Sequence, residues 1–155
     1  MNRDYNPFAN LDLHIPVPYR EEIKKFTTSQ GGDGDTSVDT TPFVRYVDLW
    51  ATAVAVGAQE KAFVSDYEKH RFITGAVLQG DLSRIEFLQL VAIGHTKDPY
   101  VINNSRQVID IADSYAAGGM PIVMQWLDGG SQSATVSLTK HFMTFLNDIP
   151  QSEPT

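Results

Sequence analysis

Residues 105–126 read SRQVIDIADSYAAGGMPIVMQW, and this stretch decides the fold. Val108, Ile111, Ala112 and Tyr115 recur at helical spacing, with Arg106, Asp110 and Asp113 on the opposite face. That pattern is an amphipathic helix with one buried stripe. Gly118-Gly119 is expected to end it, because glycine enters the left-handed C′ position without a Cβ clash. Pro121 then falls in the first turn of a second helix, where its missing N–H is not needed. Ile122, Val123, Trp126 and Leu127 give that helix its apolar face, and Gly129-Gly130 closes the unit. The plain consequence is a helical hairpin in a core, with a positive φ at Gly118 or Gly119. The functional alternative is a Gly-Gly corner left open, which makes Gly118 and Gly119 candidate partner-binding residues.

Working outward, residues 42–58 (PFVRYVDLWATAVAVGA) are apolar nearly all round and predict a central helix. Thr41 is its expected N-cap, Pro42 its first residue and Gly57 its end. Ser83-Arg84-Ile85-Glu86 has capping-box spacing and opens a helix with Ile85, Leu88 and Ala92 inward, closed by Gly94. Asp98, and the run Asn103-Asn104-Ser105, are expected caps or turns. Residues 131–135 form a polar linker, and 137–147 a last helix stopped by Pro150. Near the N-terminus, Leu11, Leu13, Ile15 and Val17 alternate with other residues among prolines, which predicts an extended segment or short edge strand. Residues 18–28 read as a short helix. Residues 59–80 are the least legible; 72–78 fit a strand or the start of a helix. The expected fold is mainly α, a helical domain of about five to six helices with a short strand or hairpin. The expected division is an N-terminal arm, short helix and polar loop (1–41), a helical domain (42–149) and a frayed tail (150–155). Its core is expected from Trp50, Leu88, Val91, Ile111, Tyr115 and Trp126.

The chain of 155 residues is long enough for one domain with a proper core. Its net charge of -7 argues against broad, non-specific attraction to nucleic-acid phosphates. With no cysteine, a disulfide framework, a thiolate metal site and a Cys–His nucleophile are all excluded. The N-terminal sequence lacks the apolar block of a secretory signal and no run reaches membrane-spanning length, so a cytoplasmic protein without membrane contact is expected.

Reaction chemistry is hard to find. HExxH, a Walker A sequence, a dinucleotide-binding glycine pattern and a nucleophile elbow are all absent. His14, His70, His95 and His141 are scattered, and no metal or other cofactor is expected. His95 ends a helix, where a cation meets the dipole favourably. The acidic loop at 29–41 carries Asp33, Asp35 and Asp39, but an EF-hand needs Glu at its twelfth position, where Val44 stands. Lys61, Lys69, His70 and Arg71 form the local basic concentration. It reads as a solvated face or, with Arg84, as a nucleic-acid contact.

Three motifs carry a resemblance. They are PF-x-x-Y-x-D-L-x-x-x-A-x-x-x-G at 42–57, I-x-x-L-x-L-x-A at 85–92 and D-x-Y-A-x-G-G at 113–119. Together they make residues 42–127 similar to the DNA phosphorothioation (dnd) system-associated protein 4 family. The resemblance implies an accessory role beside phosphorothioate-dependent restriction or a related antiphage defence system, and brings no catalytic residues. The reading is therefore a non-catalytic accessory or adaptor protein, working by contact with protein partners of a larger defence complex. The runner-up is a nucleic-acid-binding accessory subunit using Lys61, Lys69, His70, Arg71 and Arg84.

Overall fold

A computed structural model describes residues 5–28 and 40–149. The chain runs β1 (Asp12–Pro16), a 3-10 turn (Val17–Tyr19), α1 (Glu22–Lys25), α2 (Tyr46–Gln59), β2 (Lys69–Thr74) and a 3-10 turn (Gly75–Leu78). It continues through α3 (Leu82–Thr96), a 3-10 turn (Pro99–Asn103), α4 (Ser105–Leu127) and α5 (Ala134–Asp148). The architecture is mainly α, as the sequence predicts, with one two-stranded antiparallel sheet among the described residues. Residues 29–39 of the acidic loop and the tail at 150–155 lie outside the described residues.

α2 is central for the reason its sequence gives. Val47, Leu49, Trp50, Ala53, Val54 and Val56 are all buried, and its main neighbour is α4. The two helices meet through small residues. A Cβ on Gly119 would strike the Ala53 carbonyl, and one on Gly57 the Tyr115 carbonyl. Gly118 faces the Ala62 carbonyl in the same way, where the segment after α2 crosses α4.

The helix–corner–helix expected of residues 105–126 is overturned. α4 is one helix that runs through Gly118, Gly119 and Pro121. Among the described residues, the glycines with positive φ are Gly80 and Gly130. The magnitudes explain the continuity. Proline inside a helix costs about 3 kcal/mol, through a lost hydrogen bond and a ring clash. Met120, Val123 and Leu127, buried by continuing the helix, each contribute roughly 1.5–3 kcal/mol. Burial wins, and the exposed Pro121 ring lies on the outer side.

Other boundaries also move. α2 starts at Tyr46, not Pro42, and Arg45 is its N-cap, not Thr41. Asp48 accepts from the Arg45 N–H at 3.0 Å. The preceding backbone is engaged elsewhere: the Phe43 N–H donates to the Phe26 carbonyl at 3.2 Å, and Thr28 N–H to Phe43 at 2.9 Å. Gly57 does not end α2, and Gly94 does not end α3. Lys97 takes the left-handed position instead, with φ 59°. Asp81, rather than Ser83, caps α3 by accepting from the Arg84 N–H. Asp98 and Asn104 cap as expected, accepting from Tyr100 and Gln107. Residues 18–28 give a single short helix, α1, behind a 3-10 turn.

The N-terminal segment forms the expected short strand, and the ambiguous 72–78 stretch divides between β2 and a 3-10 turn. His14 stands opposite Arg71, Ile15 opposite His70 and Pro16 opposite Lys69. Leu13 and Ile15 enter the same core as Trp50, Leu88 and Ile111. Val91, Tyr115 and Trp126 pack at its margin, partly buried.

The close crossing yields a test. Gly119→Ala overpacks a backbone contact and should lower stability by about 1–3 kcal/mol in urea melts. Gly94, exposed in the last turn of α3 with open space around it, should gain stability as alanine, by at most the roughly 1 kcal/mol of a helix interior. A Gly119→Ala protein as stable as wild type removes the close-packing account.

Candidate functional site

The most constrained polar arrangement joins β1 to α4. Asp113 is 1 % exposed, on the helix face the sequence assigned to solvent. Its Oδ1 accepts from the His14 backbone N–H at 2.9 Å. Its Oδ2 accepts from the His14 ring at Nδ1, also at 2.9 Å. The segment before β2 closes over the same turn, with Tyr67 Oη 3.5 Å from the Asp113 carbonyl and the Val64 N–H donating to the Ser114 carbonyl at 3.0 Å.

Each group is shifted by its surroundings. The Asp113 hydrogen bond raises the His14 pKa above 6.5, against partial burial and the Lys69 charge, which lower it. Burial raises the Asp113 pKa, and the His14 hydrogen bonds oppose that rise. Burial likewise pushes the Tyr67 phenol up. With Nδ1 engaged, the nitrogen His14 leaves for a ligand is Nε2. A polar cavity of about 180 Å³ adjoins the pair, lined by Asn10, Asp12, His14, Arg106 and Asp110 among others.

A larger, open groove of about 430 Å³ lies at α4 and α5, with Glu60 at its end. Ile122, Trp126 and Phe145 give it apolar walls, and Lys140, His141 and Asp148 surround them. Trp126 stacks on His141 with ring centres 6.0 Å apart and meets Phe142 edge-on. α5 is fastened here by Ser137 Oγ, which donates to the Trp126 carbonyl at 2.6 Å.

The sequence-derived candidates fall in several places. Gly118 and Gly119 are buried inside α4 against Ala62 and Ala53 of the same chain. Lys69 and Arg71 are exposed on β2, with His70 between them half-buried on the other face. Lys61 is exposed just after α2 at φ 56°. Arg84 does not join them: it pairs with Asp48 at 2.9 Å and Asp81 at 3.3 Å, in a network with Arg45 that ties α2 to α3. His95 sits in the last turn of α3, hydrogen-bonded to Tyr115 Oη at 2.9 Å and stacked on Phe63. Among the described residues, no group of three or more His, Asp or Glu is placed to hold a metal ion. No described helix is long and apolar enough to cross a membrane.

The sequence reading missed the His14–Asp113 pair. One signal pointed to it: Asp113 stands in a run of small residues, Ala112-Asp113-Ser114, as a buried helix face would.

A family model described as DNA sulphur modification system-associated protein 4 matches residues 23–153. The chain belongs to that family. The family's description ties it to a DNA sulphur modification system, and its matched span holds Asp113, both groove helices and β2. His14 and β1 precede it. No curated protein and no solved structure matches the chain.

The pair generates a pH prediction. A His pKa raised in the folded chain adds stability below the unfolded value, 6.5, and loses it as pH rises through the folded value. Asp113, also raised, acts with the same sign, but its contribution begins to be lost on the acid side, from 3.8 upward. The urea midpoint of wild type should therefore fall from about pH 6 to about pH 8 more steeply than that of His14→Gln. Parallel pH profiles would show that His14 is not linked to folding.

Proposed function

We propose that this family member is a non-catalytic accessory subunit of a phosphorothioation-associated antiphage system, and that it acts by protein–protein contact. The observation that carries the reading is the outer face of α5. Met143 is 62 % exposed and Leu146 54 %, with Val136 two turns before Met143. Large apolar side chains on one broad helix face, beside an aromatic-walled groove, suit a partner that inserts its own apolar side chains. Lys140 and Asp148 border the groove and supply polar contacts of either sign.

Co-purification from the native host tests this. Wild type should bring down a specific partner, and Met143→Glu with Leu146→Glu should lose it while melting within about 0.5 kcal/mol of wild type. Wild type that elutes alone under several conditions, or a variant that keeps its partner, overturns the reading.

The second reading is nucleic-acid contact through Lys61, Lys69, His70 and Arg71. Lys69 and Arg71 favour it, because both are exposed on one face of β2. Binding of this kind weakens steeply as salt rises, since each neutralised phosphate releases counterions. Lys69→Glu with Arg71→Glu should abolish DNA retention at low salt; unchanged affinity removes this reading.

A further inference from the structure

We propose that the cavity between residues 10–14 and the first turns of α4 binds a small, hydroxyl-bearing phosphate monoester of the sugar phosphate kind. The inference stands apart from the accessory role and does not depend on it.

Its lining holds two groups able to carry positive charge, Arg106 and His14, the second already bonded to the Asp113 carboxylate. Arg106 has no ion-pair partner among the described residues, so its planar fork of donors is available to grip an oxyanion bidentately. His14 is held in one orientation by two bonds to the buried Asp113, one from its backbone and one from its ring. That leaves Nε2 as a fixed donor or acceptor beside Arg106. Its raised pKa keeps the ring protonated further toward neutral pH.

Two carboxylates share the lining, which Asn10, Leu11 and Ile109 complete. Asp12 and Asp110 line the same cavity as Arg106 and His14. Asp12 is partly satisfied by Arg71 at 3.6 Å. These carboxylates accept hydrogen bonds, so they suit hydroxyl groups and repel a bare polyanion. A volume of about 180 Å³ takes a small molecule, not a strand of nucleic acid. One phosphate for the cations and neighbouring hydroxyls for the carboxylates satisfy all four groups; either chemistry alone leaves two of them unmatched.

NMR titration of the full chain with ribose 5-phosphate, ribose and inorganic phosphate tests the proposal. Ribose 5-phosphate should shift the His14 ring and Arg106 side-chain signals. It should bind at least about tenfold more tightly than either fragment, a difference of roughly 1.4 kcal/mol. Arg106→Gln should lose that affinity without a change in melting temperature, because the side chain is exposed. Asp110→Asn should reduce the preference for ribose 5-phosphate over phosphate. No shift at millimolar ribose 5-phosphate overturns the proposal, and so does equal affinity in Arg106→Gln. Binding of inorganic phosphate as tight as that of ribose 5-phosphate overturns the monoester assignment.

Discussion

The structure depends on a contact between two backbones. α2 and α4 cross where Gly57 meets the Tyr115 carbonyl and Gly119 meets the Ala53 carbonyl, so neither helix has room for a Cβ there. Such a crossing is expensive in local terms. Each glycine costs up to about 1 kcal/mol of helix propensity relative to alanine, and Pro121 removes a further hydrogen bond. α4 is therefore a poor helix by itself. Its continuity comes from what the close approach lets it bury: Val108, Ala112, Ala116, Met120 and Val123 on one side, against the equally apolar α2. The two helices stabilise each other, and neither reads as stable alone.

The polar cavity and the aromatic groove hang from the two ends of α4. Toward its N-terminus, Arg106 and Asp110 line the polar cavity and Asp113 fixes β1 through His14. Toward its C-terminus, Trp126 seats α5 through its carbonyl and its ring. A broken α4 would detach these two regions from each other. As one helix it sets them at a fixed separation, which ties the cavity and the groove to a single rigid element.

The fold was legible where the signal is local. The α2 run declares a buried helix by composition, Asp98 and Asn104 declare caps by type and position, and the alternation at Leu13 and Ile15 declares a strand. The failures share one physical cause. Gly118-Gly119 has the same local signature whether glycine is needed for a left-handed angle or for a close neighbour, and the neighbours here are Ala53 and Ala62, far back in the chain. Asp113 reads as a solvent-facing residue for a similar reason. On a helical wheel it shares a face with Arg106 and Asp110, yet the strand that buries it arrives from 99 residues away. The candidate site was the least legible part, because it exists only once β1 lies on α4.

Charge bookkeeping narrows what such a protein can hold. The chain carries -7 overall, and many of its cations are already paired. Arg45 and Arg84 face Asp48 and Asp81, Lys24 and Arg20 face Glu21, Lys25 faces Glu22, and Arg71 faces Asp12. The exposed pairs among them add little stability, but all of them help cancel the field that would attract a duplex from a distance. Arg106, by contrast, has no ion-pair partner among the described residues. With His14, Asp12 and Asp110 it lines a polar cavity, where the contacts of individual donors and acceptors outweigh the screened field of distant charges.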